Sequence, residues 1–110
     1  MDIGTVIALI KALGGSGGGG STTVVEVTGS DPQIVGVDNT RYVCGEVDTI
    51  SITPPDTGII DVIFVSGSSK AVVTLPDTVM MPEWYDIESD RIYEISIMDG
   101  VYGSVMSWPV

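Results

Sequence analysis

The 110-residue sequence contains no histidine, one cysteine, and only 4 lysines and arginines against 15 aspartates and glutamates. Each shortage excludes something. Without histidine the chain lacks the one side chain that titrates near neutrality untuned, and the commonest transition-metal ligand, which removes most hydrolase mechanisms. A single cysteine cannot close an intrachain disulfide, so the fold must hold by burial alone. A formal net charge of −11 and an isoelectric point near 4.1 set the chain against nucleic-acid backbones and anionic membrane surfaces, because like charge repels long before a specific contact forms. A membrane-spanning helix needs about 20 apolar residues, and the apolar opening stretch, residues 1–13, stops short of that at a run of glycines. The same stretch does not read as a secretion signal, since Asp2 stands where a basic region belongs and no small-residue cleavage site follows.

What is present is apolar. Hydrophobic residues make up 44% of the chain and its mean hydropathy is +0.39, high for a small protein that must leave much of its surface wet. Part of that surface is expected to meet another chain. The length fits one small domain with a tail, and composition divides it into three parts. Residues 14–21 read Gly-Gly-Ser-Gly-Gly-Gly-Gly-Ser, a tract with nothing to bury and no preferred conformation. Its random-coil reach is ~16 Å, enough for a folded body on residues 22–110 to turn freely on whatever residues 1–13 hold.

In residues 1–13 the apolar positions Ile3, Val6, Ile10 and Leu13, joined by Ile7, follow the spacing of a helix seam. Asp2 near the start and Lys11 near the end both suit the helix dipole, and Gly14 supplies a stop. So short a helix is marginal alone in water and must dock on something. Docking on its own β-body is one option. Assembling with copies of itself, or filling a groove on a larger particle, is the other, and the loose tether favours it.

From Thr22 onward the period changes from helical to strand-like. Strands are expected at residues 22–28, 33–37, 41–44, 47–53, 59–65, 70–75, 92–98 and 101–108, separated by segments of turn residues. This predicts an all-β fold, a small antiparallel sandwich or barrel preceded by the short α-helix and the Gly/Ser linker. Asp99-Gly100 between two alternating runs predicts a type I′ hairpin, whose two central residues take positive φ. In those runs Tyr93, Ile95 and Ile97 alternate with Glu94 and Ser96, and Tyr102, Met106 and Trp108 alternate with Gly103, Val105 and Ser107, so each strand has one apolar face. The run Ile59 to Val65, apolar on both faces except for Asp61, predicts a central strand, with residues 70–75 beside it. Residues 76–91, rich in Pro, Met and acidic side chains, predict a long loop across the sheet.

No motif with catalytic or metal-binding spacing emerges. Asp86-Ile87-Glu88-Ser89-Asp90 has alternating oxygens but carries Arg91 where a calcium loop needs glycine, and it reads as a solvated acidic loop. The glycine tract follows a helical pattern and lacks the Gly-Lys-Ser/Thr ending of a phosphate loop. Cys44, in an apolar strand without a basic neighbour to lower its pKa, reads as a small buried hydrophobe. Trp84, Tyr85 and Tyr102 are the candidate ligand-binding aromatics, since flat rings beside carboxylates suit sugars; anchoring in the core is the competing role. No enzyme, cofactor or metal is expected.

The opening residues 1–15 with their glycine tract resemble the N-terminus of small virion proteins of tailed bacteriophages of Firmicutes. Ile52-Thr53-Pro54-Pro55, Leu75-Pro76-Asp77-Thr78-Val79, Glu83-Trp84-Tyr85 and residues 93–103 resemble a terminal β-domain of such proteins. The resemblance implies a structural component of a capsid decoration, head fibre, tail fibre or baseplate, made in the bacterial cytoplasm and residing in the virion. Its partners would be capsid or tail proteins and other copies of itself, a trimer first, with residues 1–13 as anchor and oligomer interface. A carbohydrate-binding module for adhesion to a bacterial surface is the alternative.

Overall fold

A computed structural model describes residues 22–110, and the expected helix at residues 1–13 and the linker lie outside them. The described residues are all β, with no helix, and so none long and apolar enough to cross a membrane. Eight strands form where eight were expected: β1 (Thr23–Val27), β2 (Gln33–Val35), β3 (Thr40–Glu46), β4 (Thr49–Thr53), β5 (Ile59–Ser66), β6 (Val72–Thr74), β7 (Arg91–Met98) and β8 (Tyr102–Pro109). Their β-branched and aromatic residues suit a pleated, half-buried surface, and the Gly, Pro, Asp and Ser between them suit turns.

The strands divide into a five-stranded sheet, β1-β3-β5-β7-β8, and a three-stranded sheet, β2-β4-β6. The first six strands alternate between the two. Parallel neighbours normally require a long crossover, and here the crossover is a strand of the opposite sheet, so the chain returns each time from the same end. β1, β3 and β5 therefore pair in parallel, as do β2, β4 and β6, and only β5–β7 and β7–β8 are antiparallel. This corrects the expected antiparallel arrangement to mixed sheets. It also corrects the expected neighbour of β5. Residues 72–74 pair with β4 in the smaller sheet, because Ser66 and Gly67 turn the chain out of the larger one, with the Ala71 N–H donating to Ser66 Oγ at 2.9 Å.

Through its middle the large sheet is in register, and β3 slips by one residue against β5 between Val43 and Glu46. Tyr42 pairs with Val62, Val62 with Ile95 and Ile95 with Val105, all facing inward. They share one core with Ile34, Ile50 and Ile52 of the small sheet, and Phe64 and Tyr93 stack there with ring centroids 5.6 Å apart. The small sheet is too narrow to cover β7 and β8. Residues 75–90 take its place, with Leu75, Val79, Met81, Tyr85 and Ile87 packed against the same core. Cys44 lies in that core as a free thiol, and burial pushes it up to about 11.

The β7–β8 hairpin has the expected turn. Asp99 and Gly100 both take positive φ, 54° and 68°, and the Val101 N–H donates to the Met98 carbonyl at 3.1 Å. The connection is three residues long, Asp99 to Val101, one more than the expected two; it sets Met98 opposite Tyr102 rather than Val101, and that one-residue difference decides the side of every β8 side chain.

Candidate functional site

Because Ile95 and Ile97 face the core, Met98 faces outward, and so does its partner Tyr102. Met106 and Trp108 follow on the same side by the two-residue period. The apolar face of β7 thus points inward and that of β8 points away from the core. Tyr102, Met106 and Trp108 are 58%, 54% and 43% exposed, and Met98 and Ile59 beside them are also exposed. Inward, β8 contributes Gly103 and the buried Val105. A Cβ at residue 103 would collide with the Met81 sulfur, so the small residue there lets residues 79–81 close on the sheet. Among the described residues only the Met80 bridge to Tyr102 pairs with the far edge of β8, which leaves the rest of that edge open.

Further along the same outer face the large sheet changes character. Val43, Ile63, Val65 and Ile92 project outward from β3, β5 and β7, and each is at most 5% exposed; Ile63, Val65 and Ile92 form an apolar cluster separate from the core. Beside them lies a polar row. Arg41, Asp61 and Ser96 stand directly opposite one another across three strands. Arg41 Nη2 is 3.6 Å from Asp61 Oδ2, and the Ser96 hydroxyl donates to Asp61 Oδ1. Burial first, and then Asp61, raises the Glu94 carboxyl above the ordinary carboxylate value, while Arg41 pulls it back. With its charge matched to Asp61, this row pins strand register rather than presenting a nucleophile or a base.

A second feature is an open cleft of about 390 Å³ between residues 84–88 and the β7–β8 pair. A turn in which the Tyr85 N–H donates to the Pro82 carbonyl at 2.9 Å sends neighbouring aromatics in opposite directions. Tyr85 packs on the core, where burial, then Tyr93 and Asp86, raises its hydroxyl above the ordinary value. Trp84 is 70% exposed and forms a wall of the cleft. The floor is ordered by hydrogen bonds. The Glu88 N–H donates to Tyr93 Oη at 2.6 Å, and Arg91 donates from Nε and Nη2 to Ser107 Oγ at 3.1 and 3.0 Å. An indole face beside Asp86, Glu88 and Arg91 can stack a ring and hydrogen-bond its hydroxyls.

Of the three aromatics singled out in the sequence, only Trp84 lines this cleft. Tyr85 anchors the loop, and Tyr102 lies at the other end of β8 on the outer face. Ile3, Val6, Ile7, Ile10 and Leu13 fall outside the described residues. Arg91 and Ser107 were not anticipated, though they lie on one face of the hairpin by the same two-residue period that placed Val105. Compared with protein-family models, with curated proteins and with solved structures, the chain matches none.

Proposed function

We propose that the chain is a structural component of a phage virion, a capsid decoration, head fibre, tail fibre or baseplate part, in which residues 1–13 hold the particle and the β-body is displayed. On this reading the two sheets make a sandwich rather than a barrel, since β1 and β8 end the large sheet without meeting. The structural observation that supports assembly is the outward apolar row of β8. Tyr102, Met106 and Trp108 with Met98, interrupted by Ser104, lie beside an open strand edge, and exposed apolar side chains next to unpaired backbone are what another chain can cover. Copies of this chain, a trimer first, and capsid or tail proteins are the partners. The test is co-sedimentation with source-phage particles assembled without this chain. Wild type pellets with the particles, and an Ile3→Asp/Ile10→Asp variant stays in the supernatant. A wild-type chain that does not pellet, or a variant that pellets equally, overturns the reading.

A second reading is favoured by the exposure of Trp84 over its cleft: the same molecule grips a bacterial surface glycan there. Trp84 fluorescence titrated with host cell-wall polysaccharide is then expected to shift, and Trp84→Ala to lose binding by tenfold or more, about 1.4 kcal/mol. An unchanged affinity in that variant removes the cleft as a sugar site.

A further inference from the structure

Resting on the reading of the Trp84 cleft as a glycan site, we propose that its ligand is an acidic sugar: a uronic-acid ring that stacks on Trp84 and sets its one carboxylate on Arg91.

Basic side chains are scarce in this chain, so where each one is spent is informative. Against 15 acids there are Lys11, Arg41, Lys70 and Arg91, of which Lys11 lies outside the described residues. Arg41 is paired with Asp61 at 3.6 Å, and Lys70 with Asp86 at 3.7 Å. Arg91 follows Asp86, Glu88 and Asp90 closely in sequence, yet among the described residues it makes no ion pair. Its partner is a neutral hydroxyl, Ser107 Oγ, which it reaches from Nε at 3.1 Å and from Nη2 at 3.0 Å. A guanidinium carries five N–H donors in a planar fork. Ser107 takes one from Nε and one from Nη2, which leaves the Nη1–Nη2 edge, and that edge meets a carboxylate with two parallel hydrogen bonds. Arg91 and Ser107 both line the cleft, and the bond between them orients the guanidinium before any ligand arrives. A ligand carboxylate supplies the partner that this cation lacks.

The rest of the cleft suits the rest of such a ring. Trp84, 70% exposed, offers an indole face for stacking. Asp86 and Glu88 also line the cleft, and ionised carboxylates only accept hydrogen bonds, so they fit the hydroxyls of a sugar and repel a second negative charge. With a net charge of −11, the chain turns away a densely charged polyanion at long range, whereas a ring with a single carboxylate and several hydroxyls matches one cation beside two acceptors. A volume of about 390 Å³ stands near the small end of the ~300–1,000 Å³ typical of ligand pockets, in keeping with recognition of a single ring.

The test is calorimetric titration of the full chain with three pairs of oligosaccharides whose members differ only in a carboxylate or a hydroxymethyl group at C6: glucuronic acid with glucose, galacturonic acid with galactose, and mannuronic acid with mannose. In at least one pair the acidic member is expected to bind ~10-fold or more tightly than the neutral one, as a charge-assisted bidentate contact requires. Arg91→Gln is expected to abolish that preference, and Arg91→Lys, which keeps the charge without the fork, to restore only part of it, with circular dichroism following the fold. Trp84→Ala is expected to weaken both members of the pair and leave their ratio unchanged. Equal binding within every pair overturns the acidic preference and leaves the glycan reading standing. Binding of no member overturns the proposal, and the glycan reading is then decided separately by titration with host polysaccharide. A preference that survives in folded Arg91→Gln, or in Arg91→Lys at full strength should the glutamine variant not fold, places the carboxylate elsewhere and overturns the assignment to Arg91.

Discussion

Both faces of the large sheet are apolar at their centre, but they are apolar in different ways. The inner face is continuous from Tyr42 to Val105 and is closed by the small sheet and by residues 75–90. The outer face is interrupted, with a buried strip at Val43, Ile63, Val65 and Ile92, a polar row at Arg41, Asp61 and Ser96, and an exposed row at Met98, Tyr102, Met106 and Trp108. Burial of the inner face holds the fold, whereas exposed apolar side chains beside an open strand edge add little to it and fit the proposed contact with another chain.

The contrast can be broken by mutation, in descending order of effect. Phe64→Ala removes the largest fully buried side chain of the inner face and is expected to cost ~3–5 kcal/mol, read as a lower midpoint in urea. Ile63→Ala, its sequence neighbour on the outer face, is expected to cost about 1–2 kcal/mol. A loss near zero means the strip is open to water, and a loss equal to that of Phe64→Ala means that it belongs to the core. Gly100→Val puts a β-branched residue at φ 68° and should cost more than ~1 kcal/mol, seen as a lower melting temperature.

The smallest effect follows from Glu94. Because its carboxyl titrates above the ordinary value in the folded chain, ionisation opposes folding. Its unfavourable contribution is therefore absent below the unfolded carboxylate pKa and develops as pH rises through the folded one. Glu94→Gln should be slightly more stable than wild type at pH 7, with the difference vanishing as the solution is acidified past the carboxylate range. A constant difference at all pH values would assign the gain to packing instead.

Much of this contrast was legible in the residues, and the failures have physical causes. All eight strands were found because β-branched runs between Gly, Pro, Asp and Ser are a local signal. Pairing is not local. The parallel order arose because successive strands alternate between sheets, and no spacing within Ile59–Thr74 announces that Val72–Thr74 leaves the sheet of β5. The side on which β8 shows its apolar face was not determined either. A two-residue Asp99-Gly100 connection would have set Met98 against Val101 and turned Tyr102, Met106 and Trp108 inward; Val101 instead joins the turn, Met98 meets Tyr102, and the row faces outward. The scattering of Trp84, Tyr85 and Tyr102 to three surroundings depended on a single turn at Pro82 and on hairpin register, which composition does not encode.

The outward row of β8 is, on the proposed function, a contact surface for another chain. The measurement is the molar mass of the full chain by light scattering across a range of concentrations, for wild type and for Met106→Ser/Trp108→Ser, with circular dichroism to follow the fold. Both residues are exposed, so the double variant should keep its strand signal and change stability by no more than about 1 kcal/mol. Wild type is expected to run as an oligomer, a trimer first, and the variant as a monomer of the same fold. A wild type that stays monomeric, or a folded variant that assembles as wild type does, would contradict the claim that this face was built to be covered by another chain.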